Sequence, residues 1–96
     1  MGEVAVAEPL RAIVRVANKK GLHARASAKV VEAAARFQSQ IRISKDGQTV
    51  DARSIMGLMM LAASEGTDIA IEAEGPDAEA ALAAIVALAE AKFGEE

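Results

Sequence analysis

His23 is the only histidine in this 96-residue chain, and its neighbours decide what an imidazole there can do. It follows Lys19, Lys20 and Gly21. It stands directly before a segment, Ala24 to Phe37, in which Val30, Ala33, Ala34 and Phe37 recur at the spacing of one helical stripe. The first N–H groups of a helix have no partner within it and carry partial positive charge, so anions settle there. A phosphoryl group on the His23 imidazole would meet those donors. Arg25 adds a full positive charge whose planar fork suits phosphate oxygens. Placement alone also admits a plainer reading, because a lone histidine at a helix start is often a cap or a surface residue. Ser27 reads as a surface hydroxyl and Lys29 as a solvated helix residue.

A second segment, Ser54-Ile55-Met56-Gly57-Leu58-Met59-Met60-Leu61, has the character of a short helix with Ser54 as its N-cap. Core packing accounts for part of its apolar content. A helix buries only one stripe of its circumference, however, so some of Ile55, Met56, Met59 and Met60 are expected to stay exposed. Exposed methionines make an adaptable docking surface.

The elements that must hold these residues can be read from periodicity. Leu10, Ala12, Val14 and Val16 alternate with Arg11, Ile13 and Arg15, a period of two that predicts a strand. Asn18 to Gly21 forms a polar turn. Ile41 and Ile43 restart a two-residue period, and Asp46-Gly47 marks a hairpin returning through Thr49 and Val50. After Gly66, residues Ile69, Ile71 and Ala73 face inward with Asp68, Glu72 and Glu74 outward. Gly75-Pro76-Asp77 starts a last helix, where proline fits the first turn and acidic groups suit the dipole; Ala78, Leu82, Ile85 and Ala89 form its apolar stripe. The order is β-α-β-β-α-β-α in one domain over residues 9–94, behind a flexible N-terminal arm of residues 1–8. Helices cover one sheet face and the other is solvated.

Composition excludes other classes. The net charge of −3 argues against nucleic acid as the main partner, and the absence of Trp and Tyr removes stacking platforms for single strands. The chain has no cysteine, which excludes disulfides and thiolate chemistry, and one histidine makes a zinc site improbable. No metal or cofactor is expected. No secretory leader and no apolar run of membrane-spanning length are seen, so a cytoplasmic protein without membrane insertion is expected.

Gly21-Leu22-His23-Ala24-Arg25-Ala26 resembles the active-site segment of HPr, the histidine phosphocarrier family of the bacterial phosphotransferase system. Ser54-Ile55-Met56-Gly57 resembles the regulatory serine segment of the same family, and the two stand at the family's spacing. The resemblance implies an α+β, open-faced two-layer sandwich, with a four-stranded antiparallel sheet covered on one face by three helices. It implies that His23 is phosphorylated on Nδ1 by enzyme I, with phosphoenolpyruvate as original donor, and then donates to an enzyme IIA protein. Arg25 would assist the phosphoryl group. Ala24, Arg25, Ile55, Met56 and Met59 would dock partners, and Ser54 would be the target of HPr kinase. Such a protein is a monomeric carrier, not an enzyme. Ala26 departs from the proline that many members carry there; alanine also forms helix readily, and the change resembles the nitrogen-related regulatory branch. The competing class is a regulatory module that docks non-covalently through the Met-rich helix and needs no histidine chemistry.

Overall fold

The computed structural model describes residues 9–95, so the arm expected at residues 1–8 lies outside the described residues. The elements are β1 (Leu10–Arg15), α1 (Ala24–Ala34), β2 (Gln40–Lys45), β3 (Gln48–Asp51), α2 (Ile55–Met60), β4 (Asp68–Glu74) and α3 (Ala78–Glu90), followed by a 3-10 turn at Lys92–Gly94. The expected order is present. The strands form one antiparallel sheet in the order β1-β4-β2-β3.

Register follows hydrophobicity. Val14 pairs with Ile69, Ile43 with Ile71 and Ile41 with Ala73, and these side chains point to the helix-covered face. They meet Val30 of α1, Leu58 of α2 and Ile85 of α3 in one core, all excluded from solvent. The open face carries charge instead. Arg42 donates to Glu74 at 3.0 Å and lies 3.7 Å from Glu72, while Arg15 pairs with Asp68 at 3.3 Å. The β2–β3 turn has positive φ at both Asp46 (50°) and Gly47 (83°), the backbone that matches a tight hairpin to strand twist.

Two details differ from the sequence reading. Helix α1 stops at Ala34, short of Phe37: the N–H groups of Arg36 and Phe37 reach back only three residues, to Ala33 and Ala34. Phe37 still packs against the core from this turn. The Arg53 guanidinium donates to the carbonyls of Ala34, Phe37 and Ser39, placing a cation at the negative end of α1. Finally, α3 begins at Ala78, and Asp77 does not cap it through its side chain. The Asp77 carboxylate instead accepts from the Ser39 hydroxyl, from Ser39 N–H (2.8 Å) and from Gln38 N–H (3.0 Å). The Ser39 hydroxyl hydrogen bond above all, with the two backbone bonds, holds this carboxyl below its usual range despite partial burial. Asp77 thereby ties the α1–β2 loop to the start of α3.

Candidate functional site

The loop before α1 is fixed at several points. Gly21 has φ +62°, and a Cβ there would stand 2.0 Å from the Ala63 carbonyl oxygen, so only glycine permits the approach. That approach lets Leu22 N–H donate to Ala63 O at 2.9 Å. The Leu22 carbonyl accepts from Ser27 Oγ at 3.0 Å, and Leu22 is buried. Ser27 is therefore not a surface hydroxyl; it is excluded from solvent and secures the loop to the helix.

His23 follows as the N-cap of α1 with extended backbone (φ −74°, ψ −176°), and its side chain does not cap the helix. The N–H groups of Ala24, Arg25 and Ala26 have no partner inside the helix, and its first turn holds no acidic residue. Ala24 and Arg25 are exposed, Ala26 is buried, and Arg25 makes no ion pair among the described residues.

The ring itself has a partner that the sequence reading did not find. His23 Nε2 lies 2.6 Å from Glu95 Oε2, and Glu95 Oε1 accepts from Asn18 Nδ2 at 2.9 Å. Burial opposes ionisation of Glu95, but hydrogen bonds from Asn18 and His23, with the charges of His23 and Arg25, outweigh it and hold the carboxyl below its usual range. A carboxylate only accepts hydrogen bonds, so the proton belongs on Nε2. In the neutral ring the lone pair is then on Nδ1, which has no hydrogen bond among the described residues.

Glu95 lies one residue beyond the 9–94 segment. A tight C-terminal turn brings it to His23, with left-handed backbone at Lys92 (φ 57°), Phe93 (φ 54°) and Gly94 (φ 74°). Non-glycine residues adopt that backbone at a cost of about 1–2 kcal/mol each. Burial of Phe93 in the core and donation from Lys29 Nζ to the Phe93 carbonyl at 2.8 Å offset it. Lys29 is thus a clamp on the C-terminus and not a freely solvated side chain. The available sequence signal was Phe93-Gly94 after the α3 stripe, an apolar anchor followed by a residue suited to positive φ.

Two hollows adjoin the loop before α1. One, of about 320 Å³, is lined by Lys19, Lys20, Arg25, Lys29, Gly94 and Glu95. The other, of about 260 Å³, runs from Lys20, Leu22 and His23 to Met59 and Ala62. It joins the histidine to α2, where Leu58 points into the core and Ile55, Met56, Met59 and Met60 are exposed, as the limited stripe of a short helix requires. Met60 belongs with the expected docking residues on exposure. Ser54 is the α2 N-cap, accepting from Gly57 N–H at 3.0 Å, and it lines neither hollow. No cluster of metal-ligating side chains occurs among the described residues.

Fold and site together define a small open-faced sandwich with one histidine presented at a helix N-terminus. The family model described as "PTS HPr component phosphorylation site" matches residues 10–91. The phosphocarrier protein HPr of Cupriavidus necator is 51% identical over 80 residues, covering 83% of this chain and 90% of that protein. The phosphocarrier protein NPr of Shewanella violacea is 44% identical over 82 residues, 85% of this chain and 90% of that one. The crystal structure of HPr-C-His from Thermoanaerobacter tengcongensis superposes with a TM-score of 0.86 at 47% identity, covering 91% of this chain and 98% of that one. The chain belongs to the HPr phosphocarrier family of the phosphotransferase system.

Proposed function

We propose that His23 accepts a phosphoryl group on Nδ1 from phosphorylated enzyme I, with phosphoenolpyruvate as original donor, and passes it to an enzyme IIA protein. The observation that carries this reading is the carboxylate of Glu95 on Nε2, which leaves the Nδ1 lone pair at the N-terminus of α1. The Nδ1 pair forms the new N–P bond as the bond between phosphorus and the donor atom of enzyme I breaks, its electrons returning to the donor. The backbone N–H groups at the start of α1 and the guanidinium of Arg25 stabilise the charged oxygens of the transferring group. The protein is a carrier, because its own side chain is consumed and regenerated.

Ala24 and Arg25 beside the histidine, with Ile55, Met56, Met59 and Met60 of α2, form the docking surface. Ser54 is the site for HPr kinase where that enzyme is present. A regulatory output is supported by Ala26 in place of the usual proline and by the likeness to NPr. The working unit is the monomeric domain of residues 9–94 extended by Glu95, in the cytoplasm. The exposed α2 surface would serve a non-covalent docking module equally well, so the test is covalent. Incubation with enzyme I and phosphoenolpyruvate adds one phosphoryl group to the wild type and none to His23→Ala, whereas an unmodified wild type that still binds its targets would establish the docking module instead.

A further inference from the structure

We propose that Asn18 is a positioning residue for phosphoryl transfer, holding the Glu95 carboxylate against His23 so that the ring keeps its proton on Nε2 and its lone pair on Nδ1. The inference rests on the reading of His23 as phosphoryl acceptor and names the device that prepares it. Asn18 is fully buried, and its Nδ2 donates to Gly21 O and to Glu95 Oε1, both at 2.9 Å. Its Oδ1 is buried with no partner among the described residues. Turning the amide over would set Oδ1 against two acceptors, so the orientation is fixed. The loop itself has other anchors: Gly21 N–H to Asn18 O, Leu22 N–H to Ala63 O, and Ser27 Oγ to Leu22 O. What Asn18 adds is the tie to the opposite end of the chain.

That tie gives Glu95 two fixed oxygens, one on Asn18 and one on His23. Phe93 and Lys29 secure the turn that carries Glu95, but neither touches its carboxylate. Without the amide, the carboxylate is free to rotate off the ring. The arrangement also lets the ring cycle without exchanging a proton. When Nδ1 gains phosphorus, the ring carries substituents on both nitrogens and a positive charge, which the carboxylate faces. When the N–P bond breaks, its electron pair returns to Nδ1 and the Nε2 proton stays where it was.

The test is a mutant cycle on the full chain with Asn18→Ala, Glu95→Ala and the double variant. It uses ¹⁵N imidazole shifts at a pH where the ring is neutral, together with the rate of phosphorylation by phospho-enzyme I. Each single variant is expected to raise the Nδ1–H population at the expense of Nε2–H and to slow transfer about tenfold, as loss of one charge-assisted contact does. The double variant is expected to be no slower than Glu95→Ala alone, because Asn18 acts through Glu95. If Asn18→Ala fails to fold, Glu95→Ala, which leaves the Asn18–Gly21 bond in place, carries the tautomer test alone: unchanged imidazole shifts there overturn the proposal. An unaltered tautomer in a folded Asn18→Ala, or additive slowing in the double variant, also overturns it. Failure of the wild type to accept phosphoryl at all overturns the carrier reading beneath it, and is seen before any substitution is made.

Discussion

Helix α2 presents two neighbouring side chains of opposite exposure, and substituting each in turn separates the proposed docking from folding. Met56 is 69% exposed and Leu58 is 0% exposed. Met56→Glu therefore removes almost nothing from the core, and surface changes of this kind shift stability by about 0.5 kcal/mol or less. In a complex, the same side chain would lose the burial of a methionine, about 1.5–3 kcal/mol, and would add the desolvation of a carboxylate. Dissociation from enzyme I should weaken tenfold to over a hundredfold. Leu58→Ala should do the reverse. Truncating a fully buried leucine costs about 2–5 kcal/mol, and for a domain of this size each kcal/mol lowers the melting temperature by about 4–8 °C. Thermal melting and calorimetric titration with enzyme I on both variants give four numbers. A large fall in melting temperature for Met56→Glu with unchanged affinity would refute the assignment of this face to docking.

Three further outcomes follow from the site and its supports. Arg25→Ala should slow phosphorylation of His23 about tenfold to a hundredfold without abolishing it, since the helix N–H groups remain; a wild-type rate in a stopped-flow transfer assay would make Arg25 a mere surface charge. Asp77 has its carboxyl held below the usual range, so it contributes stability above the ordinary carboxylate range and loses it as pH falls through the folded value. The stability difference between wild type and Asp77→Asn, measured by urea unfolding, should be full at neutral pH and shrink in acid, and a difference constant with pH would remove that role. Ser54→Asp keeps an acceptor for Gly57 N–H and adds negative charge beside Ile55 and Met56, so it should melt near wild type yet be phosphorylated more slowly by enzyme I; unfolding would leave Ser54 a structural cap only.

The local parts of this molecule were legible in its sequence. The two-residue period of β2 and β4, the Asp46-Gly47 turn, the Ser54 cap and the surplus of apolar residues on α2 all depend on neighbours within a few positions. The position of His23 at a helix start was legible for the same reason. The unread parts depend on contacts between distant segments. Glu95 reaches His23, Lys29 reaches Phe93, Asp77 reaches Ser39 and Arg53 closes the end of α1. A carboxylate near a terminus or a lysine on a helix carries no periodic signal, and its partner is set by the packing of α3 and the turn after it. The end of α1 carries no local signal, because Phe37 continues the apolar stripe and no glycine or proline marks the stop. A buried hydroxyl and an exposed one look alike in sequence, and the burial of Ser27 follows only from its bond to the Leu22 carbonyl.

Phosphorylation of one nitrogen of one residue underlies the proposed function. It is tested most directly by reacting the ¹⁵N-labelled protein with enzyme I and phosphoenolpyruvate and locating the modification through long-range ¹H–¹⁵N correlations of the imidazole. A single acid-labile phosphoryl on Nδ1 of His23 is expected, with Nε2 still protonated and hydrogen-bonded to Glu95, and no modification of His23→Ala. Absence of modification, modification that persists in His23→Ala, or phosphorus on Nε2 would contradict it.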